Sequence, residues 1–250
     1  MRLLLPLLLC VSCATARSTA PQGAPSGLTD KDAMARLPAV TFKMGSNNGE
    51  TDEMPPHDVV LKSYLLDRTE ITNEDYQACV DANVCTPSQG STDANLNKGR
   101  QPAVGVTWTD ANRYCEWVGK RLPTEAEFER ATRGTSNRMY AFEGKAVEKS
   151  NLRGADDGFE HTAPVGSFPL GQSKEAPVLD LTGNAAEWVS DWYDPTYYST
   201  QAEWTDPVGP NIISGEKVVR GGSYKDPDGS ARASARGRLE KNLASTSIGF

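Results

Sequence analysis

The chain has very little histidine: His57 and His161 are the only two in 250 residues. A His-rich metal centre is therefore excluded, and a two-His iron triad would need both of them. Cysteine is scarce too. Five are present, none falls in a CxxC or Cys/His zinc spacing, and none follows Cys115. No apolar run reaches the 18 or more residues of a membrane-spanning helix. Positive charge is short, with 26 Lys and Arg against 33 Asp and Glu and a net charge of −7. That argues against a nucleic-acid partner, which needs a basic face to displace phosphate counterions. Gly-x-y and heptad repeats are absent, as are P-loop, Rossmann and Ser-His-Asp patterns. What the chain has in quantity is turn formers, 22 Gly and 16 Pro, on enough length for a real core.

The first segment reads as an address. Arg2 precedes the apolar stretch Leu3 to Val11, and small polar residues follow at once, the layout of an export signal over 1–16. Two exits remain open. Val11-Ser12-Cys13 resembles a bacterial lipobox, with Cys13 lipidated and Cys10 an unusual residue at the first lipobox place. Ala14-Thr15-Ala16 is an ordinary A-x-A cleavage site. Residues 17–36 have the composition of a flexible tether. The expected location is the bacterial outer membrane or periplasm as a lipoprotein, or outside the cell, with membrane contact only through the lipid.

In an oxidising compartment Cys79 and Cys85, which bracket a helix end and a turn, would close a small disulfide loop; the alternative is two free thiols. Cys115 falls on the apolar side of a helix pattern and reads as a buried thiol.

Local signals place the elements. Val40, Phe42 and Met44 alternate as in a half-buried strand, and Val59 to Leu66 is a second strand-like run. Thr72-x-x-Asp75, Thr107-x-x-Asp110 and the full capping box Thr124-x-x-Glu127 open three helices, reaching about Val80, Val118 and Arg133. Gly119 suits the left-handed stop of the second. Pro87 to Gly99 is polar and reads as a mobile loop. The layout is α+β, a few short helices on a body of irregular structure.

A series of ordered words then appears. They are Met44-Gly45-Ser46; Asp67-Arg68-Thr69-Glu70-Ile71-Thr72-Asn73; Pro102-Ala103-Val104-Gly105-Val106-Thr107-Trp108; and Gly119-Lys120-Arg121-Leu122-Pro123-Thr124-Glu125-Ala126-Glu127. After these come Asp180-Leu181-Thr182-Gly183-Asn184-Ala185-Ala186-Glu187-Trp188, Arg220-Gly221-Gly222-Ser223-Tyr224 and Ile248-Gly249-Phe250. This set resembles the formylglycine-generating enzyme (sulfatase-modifying factor) family over residues 37–250. The resemblance implies a C-type-lectin-like fold with low regular secondary structure, few short helices and twisted antiparallel strands. The family continues a few residues past its Gly-Phe, so the resemblance also implies a shortened last strand or a fragment. Apart from any activity, Trp108, Trp117, Trp188 and Trp192 read as core and scaffold, and Arg121, Glu125 and Glu127 as buried ion pairs.

The resemblance also implies structural calcium. One site maps to Asp180, Glu187 and the carbonyls of Gly183 and Ala185, and a second to Asn151, Asp157 and the carbonyls of Leu152 and Phe159. Oxygen donors of this kind suit a hard cation; the bland alternative is turn capping. Family enzymes oxidise a substrate cysteine with copper held by two thiolates shortly after Arg-Gly-Gly-Ser. Counted from Ser223, those two places hold Asp226 and Ala231, so copper lacks its soft ligands and no catalytic residue is assigned. The expected protein is a non-oxidase, a calcium-stabilised module for binding or assembly. Its contact groove for a peptide, protein or glycan would lie near Ser223, Tyr224, Arg220 and Trp188. The alternative is a formylglycine-generating or other oxidation on the same fold.

Overall fold

The computed structural model describes residues 27–28, 34–154, 157–200 and 204–250. The export signal, Cys13 and most of the 17–36 tether lie outside the described residues.

Among the described residues, eight short strands and three short α-helices are separated by long irregular stretches. Strands β1 (Ala35–Leu37), β2 (Val40–Met44), β3 (His57–Leu61) and β4 (Tyr64–Leu66) come first. Helices α1 (Asn73–Asp81), α2 (Trp108–Trp117) and α3 (Glu125–Arg133) follow, then β5 (Ala186–Trp192), β6 (Glu216–Arg220), β7 (Gly237–Glu240) and β8 (Ile248–Gly249). β1 pairs with β4 and β2 with β3, both antiparallel. A four-stranded sheet runs β7-β6-β5-β8, and β8 lies parallel to β5, the exception among otherwise antiparallel strands.

The three threonine caps form as their spacing predicts. The Thr72, Thr107 and Thr124 side chains accept from the backbone N–H groups of Asp75, Asp110 and Glu127, and the Glu127 carboxylate closes the box on Thr124 N. Such a cap is worth about 1 kcal/mol. Gly119 takes φ +73° just past α2. The Cys79–Cys85 disulfide is present, and Cys115 is a buried free thiol.

Two sequence expectations change. Val59 to Leu66 is two strands, because residues 204–206 cross at the break: Val60 N donates to Trp204 O and Lys62 N to Asp206 Oδ1, and the chain leaves β2 for β1. The stretch Pro87 to Gly99 is tied down along its length. Leu96 is buried, and Asn73 Nδ2 and Gln101 Nε2 hold the carbonyls of Leu96 and Asn95. Among the described residues no helix is long and apolar enough to cross a membrane.

The tryptophans act as posts. Trp188 is fully buried with its indole on Val106 O, and Trp108 donates to Val189 O. The Lys217 ammonium sits 4.0 Å from the Trp108 ring and 3.9 Å from that of Trp192. The ion pairs differ from expectation. Arg121 binds Glu127 at 2.6 Å with 61% of its side chain exposed, because it lies in the loop outside α3. Glu125 instead pairs with the distant Arg220 and Arg236.

Candidate metal centres and the substituted cysteine places

The two calcium words are folded against each other through Asn184. The turn before β5 puts Asp180, Gly183 and Asn184 at φ +61°, +82° and +66°. At Gly183 a Cβ would run into the Asn151 carbonyl oxygen, so glycine is required there. Asn184 N then donates to that same carbonyl at 2.8 Å. The Asn184 side chain accepts from Ala163 N and Asn151 Nδ2 and donates to Glu70 Oε2 at 2.7 Å. One residue thus couples the 151–163 loop, the turn and the strand that follows.

Asp180 Oδ2 accepts from Gly166 N at 2.7 Å. Burial pushes the Asp180 carboxyl up to about 6. Glu187 lies half-buried on β5, and desolvation with the nearby charges of Asp180 and Asp67 pushes it up to about 8. Glu70, missed at the sequence level, is buried beside them. Desolvation and the charges of Asp180 and Glu187 raise it well above the carboxylate range, although Ala185 N and Asn184 donate to it. Its signal was a single acid set inside the word Thr69-Glu70-Ile71, which local spacing cannot distinguish from a surface acid.

The second word supplies oxygens without partners. Asn151 is buried, its Nδ2 donates to His161 O, and its Oδ1 has no hydrogen-bond partner among the described residues. Asp157 Oδ1 accepts from Phe159 N, while its buried Oδ2 has no partner among the described residues. Unpaired buried oxygens are costly and fit a hard cation. Among the described residues no three His, Cys, Asp or Glu side chains converge as a metal site, so both sites would depend on carbonyl and amide oxygens beside the acids. The open oxygens of Asn151 and Asp157 are of the kind a hard cation takes; the carbonyls of Leu152 and Phe159, and Asp180 and Glu187 with the carbonyls of Gly183 and Ala185, would have to complete the two sets.

The Arg-Gly-Gly-Ser segment leads out of β6. Arg220 is buried and pairs with Glu125 at 2.8 Å and Glu129 at 2.6 Å. Ser223 is buried, and both its N–H (3.0 Å) and its Oγ (2.6 Å) donate to Asp226 Oδ2. Asp226 is therefore the acceptor of a local turn. Ala231 is fully buried, packed where a Cβ on Gly222 would meet it.

This corrects the expected contact groove. Trp188, Arg220 and Ser223 are buried and already bonded, so they hold the fold and present no surface. Tyr224 is 7% exposed, packed in a small cluster with Leu96, Val104 and Ala185. The exposed part of this segment is Lys225 and the stretch from Pro227 to Ser230.

Copper does not fit. Cys115 is desolvated and pushed up to about 12, and the other two described cysteines are spent in the disulfide. His57 is wedged between Tyr198 and Trp204, and burial lowers its pKa. His161 lies 5.9 Å from the Tyr224 ring. The two histidines occupy separate surroundings.

Fold and site together define a class: a turn-built α+β domain in which two oxygen-rich loops are locked to an Arg-Gly-Gly-Ser segment. The chain belongs to the family described as the sulfatase-modifying factor enzyme 1-like domain, whose model matches residues 19–250. It is 31% identical to the formylglycine-generating enzyme of Streptomyces coelicolor, over 86% of this chain and 87% of that one. It is 32% identical, over 84% of its length, to serine/threonine-protein kinase pkn1 of Chlamydia caviae, but spans only 36% of that relative. Among solved structures, PvdO from Pseudomonas aeruginosa matches with a TM-score of 0.77 at 28% identity, covering 87% of this chain and 92% of that one.

Proposed function

We propose that this domain is a non-oxidase of its family, an exported, calcium-stabilised module for binding or assembly at the bacterial cell envelope. The observation that carries the reading is the pair Asp226 and Ala231. Soft copper needs thiolates, and here one place holds a carboxylate bonded to Ser223 while the other holds a methyl group in the core. The Cys79–Cys85 disulfide supports residence in an oxidising compartment. The unpartnered Asn151 Oδ1 and Asp157 Oδ2 support calcium. With Ser223, Arg220 and Trp188 inside, the contact surface for a peptide, protein or glycan falls to Lys225 and the exposed stretch beyond it.

The test is metal analysis of the purified protein, followed by incubation with a cysteine-containing sulfatase peptide, copper and a reductant. Calcium without copper and an unchanged peptide mass are expected. A peptide aldehyde formed at the cysteine would overturn the reading and favour the oxidase.

A further inference from the structure

The loop that leads from the 204–206 crossing into β6 has an unusual surface. Residues 207–215 (Pro-Val-Gly-Pro-Asn-Ile-Ile-Ser-Gly) carry no charge over nine positions, in a chain that is 24% charged. Val208, Ile212 and Ile213 are 75%, 51% and 83% exposed. The base of the loop is fixed and its tip is bare. Pro207 is buried, and Gly209 (φ +84°) lies so close to Asp191 that a Cβ there would meet its side chain at 2.8 Å. Asn211 to Ser214 are all exposed. The fold therefore holds two isoleucines out into solvent on a rigid stem.

A second exposed turn stands beside it. Lys241 N donates to Gly215 O at 3.2 Å, which sets the turn after β7 against the end of the loop, and Leu243 in that turn is 51% exposed. Behind both lie aromatic rings and lysines. Trp108 N donates to Lys241 O, and the Lys241 ammonium is 5.7 Å from the Trp192 ring. Trp108 and Trp192 are half-buried on either side of Lys217. The acids of this hairpin, Glu216 and Glu240, are register partners and share a face with Arg238, which lies 3.3 Å from Glu216. Lys217 and Leu239 alternate with them and take the other face.

From the tips inward the order is aliphatic, then tryptophan and lysine. A bilayer surface takes side chains in that order: aliphatic groups enter the acyl boundary, indoles stay at headgroup level, and ammonium groups reach lipid phosphates. The shape agrees. A protein partner would need a groove cut to receive two convex tips, whereas a bilayer takes them without one. The membrane is also within reach. With Cys13 lipidated, the fourteen residues from Ala14 to Gly27 span at most about 50 Å however they are arranged. A domain of this size is about 40 Å across, so the anchor lets these tips meet the bilayer.

We propose that the 207–215 loop and the turn at Leu243 form a lipid-contact site, which dips Ile212, Ile213 and Leu243 into an anionic bilayer and sets Trp192 and Lys241 at its headgroups. The site adds a second contact to the lipid anchor, and two weak signals hold a protein on a membrane where one binds only reversibly. It also fixes which face of the domain points away from the membrane. The envelope reading above supplies the setting; the affinity for lipid stands on these residues alone.

The test is flotation with vesicles of phosphatidylethanolamine and phosphatidylglycerol, using the chain from Arg17 onward that cleavage after Ala14-Thr15-Ala16 leaves. It keeps every described residue and lacks both the apolar Leu3 to Val11 stretch and Cys13, so neither can hold it on lipid. The wild type should float, and hydrogen exchange at residues 207–215 and 240–243 should slow on the vesicles. The double substitution Ile212→Asn with Ile213→Asn should lower the partition coefficient about tenfold or more. Lys241→Gln should lower it about fivefold, and only where phosphatidylglycerol is present. Both isoleucines are exposed, so the double variant keeps its fold. Leu170→Asn, which removes a 73% exposed leucine from a different loop, should float as the wild type does. A folded wild type that does not float would overturn the proposal, as would a double variant that floats equally well. An equal loss in Leu170→Asn would mean general adhesion and would overturn it too. So would a wild type that dimerises through these tips in place of floating, which would give them to a second copy of the chain. Failure of the calcium or non-oxidase reading shows in the metal and peptide assays and leaves the flotation result as it is.

Discussion

Two groups of carboxylates, one carried by α3 and one gathered around the start of β5, stand in opposite surroundings. Glu125 and Glu129 face arginines. Burial pushes the Glu125 carboxyl up, yet Arg236 and Arg220 overcome it and hold it below the ordinary range. Glu70, Asp180 and Glu187 face one another, and every one of them is raised. Glu125, Glu129, Glu70 and Asp180 are all buried, with Glu187 half-buried, so among the buried acids the difference lies in the counter-charge. The first group is electrically closed by the protein itself and fixes how α3 meets β6. The second stays open: its acids raise one another, and what reaches Asp180 and Glu70 is the N–H groups of Gly166, Asn184 and Ala185.

The largest expected effect comes from opening the closed group. Arg220→Met removes the cation shared by Glu125 and Glu129 and leaves buried charge uncompensated. Stability in urea titration should fall by about 3–5 kcal/mol, a large share of what a domain has. A variant that loses less than about 1 kcal/mol would erase the distinction between the two groups, because Arg220 would then be dispensable.

The next effect comes from filling the open group. Adding calcium to chelator-treated protein should raise the melting temperature, by about 2.7 kcal/mol of stability at a hundredfold excess over Kd. Glu187→Gln sharpens the contrast. A carboxyl near 8 keeps its proton at neutral pH, so the amide mimics it, and the metal-free variant should melt with the wild type. In calcium the variant should lose part of the gain. A metal-free variant that melts far below wild type would mean that Glu187 has a protein partner after all.

How much of this was legible in the sequence follows from how local each contact is. The three threonine caps lie within four residues, so their spacing showed them, and the disulfide spans six. The oxygen donors came from whole words carried over by resemblance; that an oxygen of Asn151 and one of Asp157 are left without hydrogen-bond partners among the described residues is a matter of packing that no spacing shows. Glu70 was not legible, because its partners Asn184 and Ala185 lie 114 and 115 residues away. The groove was misread for the same reason. Nothing local to Arg220 announces that Glu125, 95 residues earlier, will bury it. The break after Leu61 depends on a crossing by residues 204–206, again a long-range event that alternation cannot show.

Asp191 gives the smallest effect and the finest test of the comparison. It stands on β5 beside the closed group, accepting from Glu125 N and Ser190 Oγ at 2.9 Å each, but it has no arginine of its own. Desolvation and the Glu125 charge push it up to about 7, so it behaves like a member of the open group inside the closed one. Its ordinary value is about 3.9, and the folded state therefore keeps a proton that the unfolded chain has released. The stability it contributes is complete below about pH 4 and is lost as pH rises through 7, about 1.4 kcal/mol of it between pH 6 and 8. Measured in saturating calcium, so that Asp180 and Glu187 do not add their own slopes, the wild type should lose stability over that window. Asp191→Asn, which keeps an acceptor oxygen for Glu125 N, should flatten the profile. An equal slope in both proteins would mean that the arginines compensate Asp191 as well, and that the closed group extends along β5 further than its ion pairs indicate.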